Sequence, residues 1–253
     1  MSEDKSFDIV TFGDDAEKNR RKEFLTLLKK CPIPDNEFLQ NLGLFIPPQT
    51  LSRILFMDFL YRQIIDVQGI LVEFGCRWGQ NVSVFSALRG IYEPFNRLRK
   101  IVAFDTFEGF LSTSEKDADL MVKGKYSVTR DYNEYLRKIM DFQEQESPLS
   151  HIQKYEIVKG DATVCINEYI ERNPETIIAL VYFDLDLYEP TRKCLSAIKD
   201  RLTLGSVIGF DELNDHVCPG ETLALKEIFG LDRYSIRRYP YNSRTSYLIV
   251  DRV

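Results

Sequence analysis

Apolar residues recur at helical spacing over the first quarter of the chain and in short unbroken runs after it. In AEKNRRKEFLTLLKK, Phe24, Leu25 and Leu28 make one apolar stripe on an otherwise charged segment, which predicts a helix stopped by Cys31-Pro32-Ile33-Pro34. A second helical stretch, PPQTLSRILFMDFLYRQII, begins at a proline pair suited to a first helical turn. It is apolar around much of its circumference, as expected of a buried or subunit-facing helix. The first residues, MSEDKSFDIV, are acidic and polar and read as loosely ordered.

From Gly69 onward strand-like and helix-like segments alternate, the pattern of a parallel sheet covered on both faces. Candidate strands are Ile70 to Phe74, Ile101 to Phe104, Tyr155 to Val158, Ile177 to Phe183 and Ser206 to Phe210. Their apolar continuity suits strands buried on both faces. Between them, Val82, Phe85 and Leu88 line one side of a helix, as do Leu195, Ile198 and Leu202 in YEPTRKCLSAIKDRL, with Pro190 in its first turn and Gly205 expected to close it. After a helix in ETLALKEIF, the run RYSIRRYPYNSRTSYLIV reads as two strands about a Pro-Tyr-Asn-Ser turn, a terminal hairpin on an otherwise parallel sheet. The stretch 111–153 is too long for an ordinary connection and contains a helix in DYNEYLRKIMDFQEQ, so it is expected to be a lid or oligomerisation insert. The organisation is thus an N-terminal helical extension, 1–68, packed on an α/β domain, 69–253.

At 253 residues and 44% hydrophobic content the chain can bury a sizeable core. A net charge of -6 and a pI near 5.2 argue against a nucleic-acid partner. Five dispersed cysteines without a C-x-x-C pair, and only two histidines, suit reduced thiols in a cytoplasmic protein better than disulfides or zinc. No apolar leader and no stretch of membrane-spanning length is present, so neither export nor a membrane partner is expected.

Chemistry concentrates at strand ends. GILVEFGCRWGQN brings Gly75 and Gly79 to the carboxyl end of the first strand, where backbone can approach a ligand and the next helix offers free amides, although the glycines could simply make a tight turn. Glu73 is an acid inside an apolar strand, costly unless it meets a cation or donors. A ligand ammonium would serve. Asp105 after the second strand could accept hydrogen bonds from ribose hydroxyls or cap a loop, and Asp161 after the third could meet an adenine or cap a helix. In YFDLDLYEPT, Asp184 and Asp186 project to one side of an extended chain, and Asp211 with Glu212 follows the next strand. Carboxylates without a Cys or His pattern suit magnesium or calcium, unless they cap helices or pair with arginines. His216 could be a base or incidental, and Trp78 and Tyr188 could wall a ring or belong to the core.

Taken together, GILVEFGCRWGQN, AFDTFEGF, KGDA, YFDLDLYEPT and GFDELND resemble the macrocin O-methyltransferase family of S-adenosylmethionine-dependent enzymes, in particular deoxysugar-methylating members, over roughly residues 42–227. The resemblance implies a class I methyltransferase (Rossmann-like) fold: a mostly parallel seven-stranded sheet with a C-terminal antiparallel hairpin and helices on both faces. It implies that Glu73, Gly75, Arg77, Trp78 and Asn81 surround the methionine part of S-adenosylmethionine, Asp105 with Thr106 the ribose, and Asp161 with Ala162 the adenine. Asp184 with its neighbour Asp186 becomes catalytic, and Asp184, Asp211 and Glu212 become ligands of Mg2+. Family members usually carry paired aspartates where this chain has Asp211-Glu212. The expected partner is a small-molecule sugar acceptor, and the expected assembly a homo-oligomer. A catalytically inactive binding or assembly protein of the same fold and a metal-dependent hydroxylase or hydrolase are the competing readings.

Overall fold

A computed structural model describes residues 13–251. The polar leader MSEDKSFDIV lies outside the described residues. The chain runs α1 (Asp15–Lys29), α2 (Asp35–Phe38), a 3-10 segment (Leu39–Phe45), α3 (Pro48–Gln63), β1 (Ile70–Phe74), α4 (Gln80–Tyr92), β2 (Ile101–Asp105), α5 (Tyr132–Gln145), β3 (Tyr155–Lys159), α6 (Ala162–Arg172), β4 (Ile178–Phe183), α7 (Tyr188–Ile198), β5 (Leu202–Phe210), α8 (Gly220–Ile228), β6 (Arg237–Arg238) and β7 (Ser246–Ile249). The strands form one sheet in the order β3-β2-β1-β4-β5-β7-β6. The first five are parallel; β7 is antiparallel to β5, and β6 to β7. This is the parallel sheet with a terminal hairpin expected from the alternation, and the class I methyltransferase architecture that the family resemblance implies.

The sheet has a core on each face. Phe56, Leu60 and Tyr61 of α3, Phe85 of α4 and Met140 of α5 pack with Leu71, Ala103 and Tyr182 on one side. Ile166, Leu195 and Leu225 of α6, α7 and α8 pack with Val72, Val181 and Ile208 on the other. Strands covered twice need no alternation of polar residues, which explains why β4 is buried at every position.

One element departs from its sequence reading. Leu202 does not continue α7 and Gly205 does not close it: α7 ends at Ile198, residues 199–201 form a 3-10 turn, and β5 begins at Leu202, opposite Ile178. Ile198 is fully buried and is the last helical position the core needs. Gly205 sits within the strand at φ 89°, where the β4–β5 register shifts, and a Cβ there would lie 2.9 Å from Val67. At the N-terminus, α1, α2 and the 3-10 segment bury no residue, and the stripe residues Phe24 and Leu25 are exposed. Only α3 of that region enters the core. Likewise α5, within the long insert, buries Leu136 and Met140, so this part of the insert belongs to the body. Among the described residues no helix is long and apolar enough to cross a membrane.

A row of phenyl rings levels the carboxyl edge of the sheet. Phe74, Phe183 and Phe210 end β1, β4 and β5, and Phe104, the last residue but one of β2, stands in matched register with them; neighbouring centroids, from Phe104 to Phe210, are 5.2, 5.1 and 5.5 Å apart. Each ring is followed at once by a rim residue: Asp105, Gly75, Asp184 and Asp211 respectively.

Candidate active site

The turn after β1 is shaped by contacts that exclude side chains. Gly75 has φ 85°, and a Cβ on it would lie 1.9 Å from the Asp184 carbonyl oxygen. The backbone thereby brings the β1 turn and the β4 rim into direct contact. Gly79, at φ 76°, faces Leu136 of α5, whose side chain a Cβ would approach to 2.3 Å, and Arg77 between them is also left-handed at φ 45°. Behind the turn Glu73 is buried, its Oε1 accepting a hydrogen bond from Asn81 Nδ2 at 2.9 Å while Oε2 has no partner. Burial pushes this carboxyl up to about 7, against the pull of Asn81 and Arg53. A buried acceptor with a free oxygen suits a cationic group.

At the next two strand ends the acids are partly used by the fold. Asp105 accepts the amide hydrogens of Arg77 at 2.7 Å and Phe107 at 2.6 Å, and burial raises its carboxyl above the ordinary value. Thr106 Oγ1 donates to the Gly109 carbonyl at 2.8 Å and accepts from the Glu108 amide at 3.1 Å, tightening the same turn. Asp161 caps α6 by accepting from the Thr163 amide at 2.9 Å, with Ala162 at the first helical position. These contacts fix the loops, and the carboxylates retain further acceptor capacity for hydroxyl or amino donors. The Arg77 guanidinium lies 4.9 Å from the ring centroid of Tyr126 and 5.7 Å from that of Trp78, and Trp78 meets Tyr132 edge-on at 4.7 Å.

The acids after β4 and β5 converge. Asp184, Asp211 and Glu212 each present an oxygen within 4.8 Å of the others, and Asp186, Glu212 and Cys218 make an adjoining set. Two guanidiniums partly balance this charge. Arg53 of α3 pairs with Asp184 Oδ2 and, at 3.0 Å, with Asp211 Oδ1, while its Nε donates to Asn81 Oδ1 at 3.1 Å. Arg244, between β6 and β7, pairs with Glu212 Oε1 and lies 3.1 Å from Asp215. Each pairing engages one oxygen of its acid, and Glu212 Oε2 is buried without a partner. Beneath them the buried Glu221 accepts the amides of Leu185 at 3.2 Å and Glu212 at 3.3 Å, clamping the two acidic turns together. Burial, reinforced by mutual repulsion, pushes Asp184, Glu212 and Glu221 well above the carboxylate range and raises Asp186 as well. An all-oxygen set of mutually repelling acids is chemically matched to a hard divalent cation, which would favour their charged forms.

One cleft of about 440 Å³ joins these parts. Its walls include Gly75, Arg77, Trp78, Asn81, Asp105, Thr106, Asp161 and Ala162 on one side and Asp184, Asp186, Asp211 and Glu212 on the other. Glu73 lies just behind, reached through Asn81. Leu111, Ser112 and Tyr126, from the first part of the insert, close over it. His216 and Tyr188 are not in its walls: the His216 side chain is 93% exposed, and the Tyr188 hydroxyl donates to Glu227. Arg53, Arg244, Tyr126 and Glu221 were not singled out from the sequence. Arg53 left one trace, a cation in a helical run that is apolar around much of its circumference; nothing in local spacing marks the other three.

No family model matches the sequence, and no curated protein matches it. Solved structures do. The chain is 40% identical to the calicheamicin methyltransferase CalS11 over 94% of each chain, with a TM-score of 0.91. The apo structure of CalS11, a TDP-rhamnose 3'-O-methyltransferase, is 39% identical over 94% of this chain and 96% of that one, with a TM-score of 0.84. The O-methyltransferase NovP, 15% identical over 79% of each chain at a TM-score of 0.61, shares the fold.

Proposed function

Starting from the fact that the chain belongs to the sugar O-methyltransferase family of CalS11, we propose that it methylates a hydroxyl of a deoxysugar, with S-adenosylmethionine as donor and Mg2+ assisting. The observation that carries this reading is the single cleft in which a glycine turn backed by the half-satisfied Glu73 adjoins the acids of β4 and β5. CalS11 acts on TDP-rhamnose, and a nucleotide-linked deoxysugar is the first acceptor to test here.

The residues fit the donor. Glu73 Oε2 would accept from the methionine ammonium, and Gly75, Arg77, Trp78 and Asn81 would enclose the amino-acid portion. Asp105 and Thr106 would border the ribose, Asp161 and Ala162 the adenine. Bound S-adenosylmethionine supplies a methyl group already activated by its sulfonium charge, so the protein must mainly align the acceptor oxygen and keep water out. The segment 107–131, with Tyr126 over the cleft, does the excluding.

Attack by a sugar hydroxyl requires loss of its proton. Asp186 is suited to accept it: it is buried at the rim, no guanidinium pairs with it among the described residues, and its raised proton affinity makes it a stronger base than an exposed carboxylate. The oxygens of Asp184, Asp211 and Glu212 that face no guanidinium would hold Mg2+, whose Lewis acidity lowers the pKa of an oxygen it binds. Glu221 keeps both turns in register during the transfer.

The test is transfer of a labelled methyl group from S-adenosylmethionine to a panel of nucleotide-linked and glycoside-bound deoxysugars. Asp184→Asn should abolish transfer yet largely spare donor binding by calorimetry. Donor binding without transfer to any sugar would favour the inactive binding protein; metal binding without donor affinity would favour the hydrolase or hydroxylase.

A further inference from the structure

The most unusual side chain at the rim is Arg53, because it reaches two of the three candidate ion ligands at once. Its Nη2 pairs with Asp184 Oδ2, its Nη1 pairs with Asp211 Oδ1 at 3.0 Å, and its Nε donates to Asn81 Oδ1 at 3.1 Å. All three nitrogens are therefore in use. The fork comes from outside the α/β repeat, on a helix whose next turns are fixed by the fully buried Phe56, Met57, Leu60 and Tyr61. The helix is anchored in the core, but the arginine side chain keeps 29% of its surface accessible and lines the cleft.

We infer that Arg53 is a positioning residue that serves as the exchangeable counter-charge of the acidic rim, holding Asp184 and Asp211 together and setting how tightly the rim binds a divalent cation. The inference deepens the functional reading, since it rests on the acid patch being the Mg2+ site. Two acids this close repel one another, and burial makes water a poor substitute for a counter-ion. A planar fork that spans both satisfies them with directional hydrogen bonds, which a lysine point charge would not reproduce. The same fork penalises an incoming cation. Arg53 occupies one oxygen of each acid, so an ion on the remaining oxygens lies beside a like charge in a partly dehydrated cleft. The ion therefore binds either with Arg53 in place and weakened, or after Arg53 has swung into the cleft. In both cases removing the guanidinium strengthens ion binding. Swinging out would also release Asn81, the residue that holds Glu73 behind the donor turn.

Arg244 is the natural comparison. It pairs with Glu212 but turns its Nε toward Asp215, and it reaches neither Asp184 nor Asp211 by an ion pair among the described residues. It braces one ligand from the outside, whereas Arg53 bridges two.

The experiment measures Mn2+ alone binding to the full chain, by electron paramagnetic resonance of the free ion and by calorimetry, for wild type, Arg53→Gln and Arg53→Lys. Arg53→Gln should bind Mn2+ at least about tenfold more tightly than wild type, and Arg53→Lys should fall between them. Thermal unfolding supplies a second readout. Without ion Arg53→Gln should melt below wild type, and saturating Mn2+ should raise its melting temperature more than it raises that of wild type. A merely structural arginine would lower the melting temperature without tightening the ion. Equal or weaker Mn2+ binding by Arg53→Gln, or no binding by either protein, overturns the inference. Failure of this kind with labelled methyl transfer intact leaves the methyltransferase reading standing; loss of methyl transfer from wild type would sink that reading separately.

Discussion

Replacing Glu73 by Gln tests whether the β1 acid is held ready for a ligand. Glu73 is 1% exposed, has one partnered and one unpartnered oxygen, and titrates near 7 instead of 4.5, because burial outweighs the Asn81 hydrogen bond and the Arg53 charge while Asp105 adds repulsion. The native state therefore holds this proton more tightly than the unfolded chain. Its stabilising effect is complete below about pH 4.5 and is lost as pH rises through about 7. The span between those values corresponds to about 3 kcal/mol that the ligand-free protein forgoes at alkaline pH. Gln keeps an oxygen for Asn81 and has no charge to bury. Urea unfolding of the ligand-free proteins should give nearly equal stabilities at pH 4.5 and a gap opening toward pH 8, with Glu73→Gln the more stable by up to about 3 kcal/mol. Calorimetry should show the reverse for function, with S-adenosylmethionine bound at least about tenfold more weakly by the variant, since the ammonium loses its ionic partner. A stability difference that does not vary with pH, or unchanged donor affinity, would refute the reasoning.

The remaining predictions concern the frame around the site. Gly75→Ala should cost more than 3 kcal/mol or prevent folding, because its Cβ meets the backbone of Asp184 and the φ of 85° is unfavourable for alanine; circular dichroism and urea titration read this directly. Glu144 binds Arg89 at 2.8 Å and Lys154 at 2.5 Å and is buried with both, joining α5 to α4 and to the start of β3. Glu144→Gln leaves two buried cations without a counter-charge and should destabilise by about 3–5 kcal/mol while leaving donor affinity nearly unchanged. Equal urea midpoints for wild type and variant would contradict the buried-triad interpretation.

The individual strands and the rim that carries the candidate site were legible in the sequence because both follow from local pattern. A buried parallel strand is an unbroken apolar run, and the residue after it points to the rim, so Asp105, Asp184 and Asp211 could be placed by reading to the end of each run. Leu202 misled for the same reason: an apolar residue one turn beyond Ile198 satisfies helical spacing, yet pairing with Ile178 claimed it for β5. Arg244 and Glu221 were invisible, and Arg53 was barely marked, because their partners lie on other elements of the fold. Their meaning arises only when α3, the hairpin and α8 close on the acids, and no local periodicity records such a meeting. Asp161 illustrates an intermediate case, since its capping of α6 and its place on the cleft wall are compatible uses of one carboxyl.

The two guanidiniums at the rim come from opposite ends of the chain, and that has a bearing on biosynthesis. During translation Arg53 leaves the ribosome before β4 and β5 appear, whereas Arg244 emerges only after Glu212. For that interval Glu212 lacks its ionic partner, and β5 has no strand on its outer side. A nascent or stalled polypeptide ending before β7 would thus display a bare strand edge beside surplus carboxylates, a form exposed to proteolysis and aggregation. Quality control could then remove incomplete copies before they accumulate.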